Sequence, residues 1–560
     1  MRSLTLSLAL WIALVAQAAA VESRREVGDL GAVGTVQFPT SCDPAVQRDF
    51  NRGVALLHSF FYEEARRVFT DIAQRDPECA MAHWGIAMTY NHPIWTAPDS
   101  SELAAGRAAV EKALAATKQN ERERSFIRAV EAFYKGLDAP EVDAAPAAAS
   151  CHAPMGSADP KGRAACFRRE MEKAAARYPD DIEANAFYAL ALLGTAPAGD
   201  PSLAQQKKAA QILEKWYAVE PNHPGLAHYL IHSYDYPPLA ALGLPAARAY
   251  AHIAPWVPHA LHMPSHIFTR LGMWDESVQS NLASAEASQR YAAVHHPDAA
   301  SFEELHALDY LAYAYLQTAQ DAKAKGVLDR LNSIQKTHPE NDFVVGYAFG
   351  AIPARYALER RQWKEAAALE VRPMPFWDRL KFAEGLIDYA RAIGAARSGD
   401  LVTATRAADR LAQLAAASPE PRYKYFADQM QIQRRAALGW IALARGEKDS
   451  ALGILRRAAA SEDSLGKHPV SPGAILPVRE LLGEALLECG HPDEALVEFQ
   501  AALQIYPRRF NGIRGAALAA CRAGRNAEAS GYYRDLLELA KAGNATRPEL
   551  AEARTYLASR

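Results

Sequence analysis

The stretch LLGEALLECGHPDEALVEFQAALQIYPRR, residues 481–509, decides how this chain folds. Apolar residues recur at three- and four-residue spacing on both sides of Gly490, which is the periodicity of amphipathic helices. A second stretch, GAALAACRAGRNAEASGYYRDLLELA at residues 515–540, repeats the arrangement around Gly524. Glycine directly after a periodic segment marks the end of a helix, so each stretch predicts two helices joined by a short turn. Strand-like alternation is absent, and we therefore expect an all-α fold.

Helical hairpins of this kind recur along most of the chain, roughly nine or ten in all. Other examples are FFYEEARRVFTDIAQRDP at residues 60–77, RQWKEAAALE from Arg361, SGDLVTATRAADRL from Ser398 and RGEKDSALGILRRA from Arg445. The pattern resembles the tetratricopeptide repeat (TPR), a hairpin of about 34 residues with a small residue early in its second helix and Pro near its end. The resemblance implies a solenoid whose first helices line a concave groove, where a protein or peptide partner would bind.

A narrower resemblance rests on four segments of the chain. It is to a group of large exported bacterial TPR proteins, and it implies no particular activity. The segments are AHWGIAM at residues 82–88, HYLIHSYD at 228–235, HMPSHIF at 262–268 and PVRELLGEALLECGHPDEALVEF at 477–499.

The N-terminus predicts export. Residues 1–20 carry Arg2, then an apolar run, then small residues, as a secretory signal peptide does. The alternative is a retained N-terminal anchor. We expect a periplasmic or secreted protein with no transmembrane segment after cleavage. The predicted layout of the rest is N-terminal TPR-like helices at 40–136, an Ala/Pro-rich loop or linker at 137–161, a central TPR-like array with a His-rich groove at 162–370 and a C-terminal TPR array at 371–560.

Composition limits the partners and the redox state. The net charge of -3 comes without a basic strip, so we expect no nucleic acid partner. Six cysteines in an exported chain permit three disulfides, at the simplest between sequence neighbours, and the alternative is that some are buried free thiols. The neighbouring pairs are Cys42 with Cys79, Cys151 with Cys166, and Cys489 with Cys521.

Two histidine pairs stand one repeat apart. His228 and His232 are separated by four residues, and His262 and His266 follow each of them by 34. Residues four apart share a helix face, with Cβ atoms about 5–6 Å apart, and packed helix axes lie roughly 8–10 Å apart. Four imidazoles can therefore converge, and the TPR resemblance implies that they face the groove. Asp235, His259 and Thr269 extend the same face. Pro264 is a complication, because it either kinks the helix or begins it after His262.

A later hairpin offers a fifth ligand. If Ala319 is its turn and Ala324 its small residue, Asp309 occupies the position of His228 and His262, ten residues before the turn. His58 and His92 are also 34 residues apart, and they are either a second ligand patch or ordinary turn histidines. Trp84 and Met88 occupy the repeat positions that correspond to the histidine pairs. They form either the floor of the groove or part of the core.

These patterns predict a binding protein that holds a divalent transition metal, zinc or copper, through His228, His232, His262, His266 and Asp309. A polar cluster that binds peptide, or a purely structural one, is the alternative use of the histidines. One alternative function is a metal-dependent enzyme with an open coordination site, and another is a metal-free assembly scaffold. HYLIH lacks the glutamate of the zinc-protease HExxH helix, and no CxxC pair, phosphate-binding glycine loop or nucleophile elbow is present, so we expect binding rather than catalysis.

Overall fold

The computed structural model describes residues 31–94, 97–135, 160–197, 199–340, 343–419, 423–543 and 547–559. The predicted signal peptide at 1–20 and nearly all of the predicted linker at 137–161 lie outside these residues. No helix in the described ranges is both long and apolar enough to cross a membrane.

The chain divides into two compact units. Unit 1 consists of Met1–Ala196, Ala204–Leu230 and Ala249–Ala260, and unit 2 consists of Pro197–Leu203, Ile231–Arg248 and Leu261–Arg560. The predicted division into N-terminal, central and C-terminal arrays stays a prediction.

Unit 1 is built from consecutive helices. Each packs against its neighbour in sequence, and the N-terminus of α3 is capped by Cys79, which is disulfide-bonded to Cys42. The helices are α1 (Gln47–His58), α2 (Tyr62–Arg75), α3 (Ala80–Met88), α4 (Ser100–Ala115), α5 (Glu121–Lys135), α6 (Pro160–Arg177), α7 (Ile182–Gly194) and α8 (Ala204–Tyr217), after a 3-10 turn at Pro44–Val46.

Three helices contribute residues to both units: α9 (Pro224–Tyr234), α10 (Leu244–Ile253) and α11 (Pro258–His262). A 3-10 turn, Ala240–Gly243, lies between α9 and α10. The remaining helices belong to unit 2. They are α12 (Pro264–Arg270), α13 (Trp274–His295), α14 (Phe302–Gln317), α15 (Asp321–Ser333), α16 (Phe343–Glu359), α17 (Trp363–Ala367), α18 (Lys381–Ser398), α19 (Leu401–Ala416), α20 (Lys424–Ala444), α21 (Lys448–Leu465), α22 (Val478–Cys489), α23 (Pro492–Ile505), α24 (Phe510–Arg522), α25 (Asn526–Leu539) and α26 (Pro548–Ala558). Strands β1 (Ala300–Ser301) and β2 (Thr337–His338) form a short parallel pair.

The predicted hairpin of residues 481–509 is α22 and α23. Gly490 ends α22 with a φ of 88°, a left-handed conformation that glycine adopts without strain. Pro492 then begins α23 at a position where its missing N–H costs nothing. Ala495, the small residue of the second helix, is fully buried. The all-α fold of helical hairpins is therefore confirmed.

The first helices of successive hairpins form a row in unit 2. Each of α14, α16, α18, α20, α22 and α24 contacts the next member of the row, and α14 also contacts α24. The first and last helices of the row are therefore in contact, and the row is closed within the unit. Arg509, directly before α24, donates to the Tyr313 hydroxyl of α14 at 2.8 Å and fixes this closure.

The connection between α21 and α22 is long and lies among these first helices. We call residues 466–477 the buried connection, because Val470, Ser471, Ile475 and Leu476 are almost fully covered. Its contacts with α14, α16, α18 and α20 show that this part of the first-helix face is occupied by the chain itself. The groove that the TPR resemblance implies is therefore filled here by residues 466–477, and the binding of a partner in a groove stays a prediction.

The cysteines meet the disulfide expectation in part. Cys42 is bonded to Cys79 as predicted. Cys166 is disulfide-bonded as well, and its predicted partner Cys151 lies outside the described residues. Cys489 and Cys521 are free, half-buried thiols, so the third predicted bridge is wrong. The alternative of free thiols holds for these two, which lie at the C-terminal ends of α22 and α24.

Candidate metal centre

The predicted ligands divide between the units. His228 belongs to unit 1, whereas His232, His262, His266 and Asp309 belong to unit 2. All five side chains are buried. The expectation that the histidines open to a groove is therefore wrong for the described residues, because helices and connections of the chain cover them.

His262 and His266 meet in spite of the proline between them. The helix is interrupted, since α11 ends at His262 and α12 begins at Pro264. Met263 nevertheless keeps right-handed helical angles, with φ -54° and ψ -35°. The four-residue spacing therefore still brings the two rings together, nearly perpendicular to each other, and their Nε2 atoms lie 3.0 Å apart.

The outer nitrogens of both rings face hydrogen-bond acceptors. His262 Nδ1 lies 2.6 Å from Asn281 Oδ1, and the Asn281 amide nitrogen donates to Ser277 O, which fixes the orientation of that amide. His266 Nδ1 lies 3.0 Å from Asp235 Oδ2. Both Nδ1 atoms must therefore carry a proton. In neutral rings this leaves two Nε2 lone pairs facing each other.

Two lone pairs at this distance repel each other unless a hydrogen-bond donor or a cation serves at least one of them, and the Tyr310 hydroxyl lies 3.3 Å from His266 Nε2. One proton, shared by the two rings, satisfies the arrangement, and so does a metal ion bound to both Nε2 atoms. A zinc ion binds imidazole nitrogen at about 2.0–2.1 Å, which places two ligand nitrogens about 3.3 Å apart in a tetrahedral site. The observed separation is close to that value.

His306 completes the cluster, and the sequence reasoning missed it. This residue of α14 is buried, its ring centroid lies 4.1 Å from that of His262, and ligand atoms of His262, His266 and His306 all lie within 4.8 Å of one another. These three residues are the histidine cluster. The repeat register predicts a ligand only at Asp309 of this helix, and His306 stands one turn earlier.

Asp309 lies in the register that was predicted for it. Ala319 has a positive φ of 54° at the turn, and Ala324 is buried in α15. The carboxylate, however, is bonded to Arg355 at 3.2 Å, and burial raises the pKa of Asp309. Asp309 is not a member of the histidine cluster.

Asp235 holds His266 from outside the cluster. Its Oδ2 accepts from His266 and from Lys467 Nζ at 2.9 Å, and its Oδ1 accepts from Arg270 Nε at 2.8 Å. Burial alone raises the pKa of Asp235, but Lys467 and Arg270 outweigh it and hold that pKa well below the usual range. Asp235 is therefore a carboxylate that fixes the His266 tautomer, as carboxylates do for metal-bound histidines.

His232 and Thr269, which were also predicted on the histidine face, belong to unit 2 as well. The ring of His232 lies 6.3 Å from that of His266. The Thr269 hydroxyl is bonded to Ser277 at 3.0 Å.

Within unit 1, His228 and His259 form a pair. His228 donates its Nδ1–H to the backbone oxygen of His58 at 2.7 Å, and its Nε2 lies 3.2 Å from His259 Nε2. His259 can donate its own Nε2–H to that lone pair. These contacts alone therefore require no added cation.

A third group in unit 1 shows what a structural histidine network looks like. Glu183 accepts from His58 Nε2 at 2.8 Å and from His223 Nε2 at 2.9 Å. His223 Nδ1 in turn accepts from the Leu226 N–H, and His58 Nδ1 from the Tyr229 hydroxyl. The Nε2 atoms are thus proton donors and have no lone pair for a metal.

The same network explains the ionisation of Glu183. Burial by itself raises its pKa, but the two imidazoles outweigh that effect, and the pKa of Glu183 is lowered. Burial lowers the pKa of His58, which stays neutral. His58 is therefore a structural residue, while His92 donates to Thr89 O at its turn, and Trp84 and Met88 are core.

Comparisons with known proteins identify no family. No protein-family model and no curated protein matches the chain. Similar solved structures include yeast Tom70, with 12% identity, 92% of this chain and 95% of that chain covered and a TM-score of 0.34. The APC/C hetero-tetramer Cut9-Hcn1 is 12% identical, with 92% of this chain and 95% of that chain covered and a TM-score of 0.27. The P58(IPK) TPR domain is 15% identical, with 68% of this chain and 99% of that chain covered and a TM-score of 0.21. Scores this low carry no argument, so the description of the fold rests on the packing of the helices above.

Proposed function

We propose that this protein binds a divalent transition metal, zinc or copper, through His262, His266 and His306 of unit 2. The observation that carries the proposal is the pair of Nε2 atoms 3.0 Å apart, with both Nδ1 protons committed to Asn281 and Asp235. Neutral imidazole whose second nitrogen donates to a carboxylate or an amide oxygen is the usual donor set of such metals.

Neutral imidazoles, and not a net negative charge, would hold the metal. Asp235 contacts His266 but is paired with two cations, Arg270 and Lys467. Asn281, which contacts His262, is neutral. The competing explanation is a single proton shared between His262 and His266, which needs the same tautomers and the same Asp235 contact.

The wider role that we propose is that of an exported binding protein whose helical hairpins engage a protein or peptide partner. It is supported by the N-terminal sequence of residues 1–20 and by the hairpin architecture, which commonly serves protein recognition. His228, His232 and Asp309 are left out of the proposed ligand set. Zinc is the first metal to test, because three imidazoles suit it well.

A metal-dependent enzyme is the second candidate function. It is favoured by the number of ligands, since three protein ligands with a fourth position for water is the arrangement of catalytic zinc sites. A stoichiometric metal with an exchangeable water and turnover of a hydrolysable substrate would support this candidate over simple binding.

The experiment removes bound metal from the mature protein with a chelator. Zn²⁺ or Cu²⁺ is then titrated into the metal-free protein in a calorimeter, which measures the number of ions bound and their affinity. We expect one ion per chain for the wild type and none for the His262→Gln/His266→Gln variant. His223→Gln is the matched control, because it also removes a buried, doubly bonded imidazole but from the Glu183 network. Equal binding by the wild type and the double variant, or no stoichiometric binding by the wild type, would exclude the proposed centre.

A further inference from the structure

The buried connection, residues 466–477, is held by side chains and not by a backbone ladder. Arg355 of α16 donates to Gly473 O and Ala474 O, each at 2.8 Å. Tyr347 donates to Ser471 Oγ at 2.9 Å, and Tyr389 of α18 contacts Leu476 O at 3.5 Å. These bonds hold a segment that contains three prolines and no helix.

The same segment reaches the candidate metal centre at two points. Lys467 Nζ contacts Asp235 Oδ2, the very oxygen that accepts from His266 Nδ1. Farther along the segment, Ser471 O lies 3.4 Å from the Tyr310 hydroxyl, which in turn lies 3.3 Å from His266 Nε2. The connection therefore contacts two residues, Asp235 and Tyr310, that themselves contact the His266 ring.

An ion can reach the histidine cluster only if something moves, because His262, His266 and His306 are each at most 2% exposed. Helices keep their backbone hydrogen bonds within themselves and pack on both neighbours, so displacing one disrupts many interactions at once. A non-helical segment held by a few side-chain bonds opens at a lower free energy. Of the elements that contact Asp235 and Tyr310 within unit 2, the buried connection fits that description.

We propose that residues 466–477 form a gate over the metal centre, which must open for a metal ion to enter or leave. The proposal rests on the proposed function and adds the regulation of that site. The anchors of the gate, Tyr347 and Arg355, bind the segment but no atom of the histidine cluster. Weakening an anchor therefore favours opening of the gate and leaves the ligands in place.

A gate makes a specific kinetic prediction. Because the closed gate covers both the metal-free and the metal-bound centre, easier opening speeds entry and release by the same factor and leaves the dissociation constant unchanged. A residue that acts on the ligands changes the dissociation constant instead. The comparison of rates with affinity therefore separates a gate from a merely structural contact.

The test uses Tyr347→Phe, which removes one hydroxyl and keeps the ring. We expect the rates of Zn²⁺ entry and of release to a competing chelator, followed by stopped-flow absorbance, each to rise about fivefold, as the loss of one buried hydrogen bond allows. Ser471→Ala removes the acceptor of the same bond and also the bonds of its hydroxyl to Arg355 and Gly473, so it should raise both rates at least as much. Adding Tyr347→Phe to Ser471→Ala should then produce little further increase. Tyr533→Phe, which removes a hydroxyl bonded to Glu552 in the same unit, is the control and should leave both rates unchanged.

Three outcomes would contradict the proposal in different ways. Unchanged rates in Tyr347→Phe and Ser471→Ala overturn the gate and leave the metal centre standing. A changed dissociation constant with an unchanged entry rate assigns Tyr347 to the ligand shell and also overturns the gate. If the wild type binds no metal, the proposed function fails first. Hydrogen exchange then still tests the opening, because amides at 468–476 that exchange no faster than those of α21 and α22 exclude a gate.

Discussion

For a buried histidine, the partner of the second ring nitrogen decides whether the first is available to a metal. His266 and His223 are both almost fully buried and both bonded to a carboxylate. His223 Nδ1 accepts a backbone N–H, so its Nε2 must donate to Glu183. His266 donates from Nδ1 to Asp235, so its Nε2 keeps a lone pair. The same residue type therefore serves a structural network in unit 1 and a candidate metal centre in unit 2.

Asp235→Asn tests the role of the carboxylate behind His266. We expect the affinity for Zn²⁺ to fall by about 10- to 100-fold, because an amide oxygen polarises the His266 ring less than a carboxylate does. Competition with a chromophoric chelator measures the change. Asp388→Asn is the matched control, since Asp388 is also buried and paired with an arginine, Arg391. An equal loss in both variants would show a general loss of stability and not a role in the centre.

Spacing predicted part of the residue-level site. The interval of 34 residues identified His262 and His266 because repeated hairpins place equivalent residues in equivalent environments. It missed His306 because the cluster histidine of α14 stands one turn before the position equivalent to His262. Asn281 and Asp235 bind the rings through side-chain geometry that no spacing reveals.

Among the helices, the pair α11 and α12 shows how a chain can break a helix and keep its register. Pro264 ends the regular hydrogen bonding, as the sequence warns. The intervening Met263 stays in the helical region, so His262 is not rotated off the face. Pro264 therefore begins a new helix without separating the two histidines.

Close packing between hairpins depends on particular glycines. The Phe499 ring of α23 lies between Gly483 of α22 and Gly515 of α24, and a Cβ on Gly515 would lie 2.1 Å from Phe499 Cε1. We expect Gly515→Ala to lower the free energy of unfolding by about 2 kcal/mol, because the ring has to move out of a packed core. Chemical denaturation measures the change.

Gly531→Ala is the control for that substitution, because a Cβ there meets no atom within 4 Å. It should raise the free energy of unfolding by roughly 0.5–1 kcal/mol, since alanine favours the helical conformation. Destabilisation of similar size at both positions would show that the effect comes from helix propensity or the unfolded state and not from the contact with Phe499.

On the scale of the whole unit, buried ion pairs join hairpins that are far apart in sequence. Glu484 of α22 binds Arg361, which precedes α17, and Arg397 of α18. Burial by itself raises the pKa of Glu484, but the two guanidinium groups outweigh it and lower that pKa to about 2. Unit 2 is thus stabilised by charge pairs whose strength depends on pH.

The sign of that dependence follows from the lowered pKa. The stabilisation by Glu484 is complete above its ordinary pKa of 4.5 and is lost as the pH falls from there towards 2. We expect the drop in unfolding free energy between pH 6 and pH 2.5 to be smaller in Glu484→Gln, by up to roughly 3 kcal/mol. Urea denaturation at both pH values measures it. Glu494→Gln, at a side chain about half exposed, should behave as the wild type, and an equal acid loss in Glu484→Gln would contradict the assignment.

The amino-acid sequence by itself determined the all-α hairpin fold, the turns at Gly490 and Ala319, the Cys42–Cys79 pairing and two of the three cluster histidines. These features depend on local periodicity and on a repeat that places equivalent residues of successive hairpins in equivalent positions. Only the tertiary structure decided that the first-helix row of unit 2 returns on itself and that residues 466–477 occupy it. It also decided that His306 and Asp235 meet His262 and His266. Such contacts join residues up to 232 positions apart, and they depend on small angles accumulated over many hairpins, which no local pattern records.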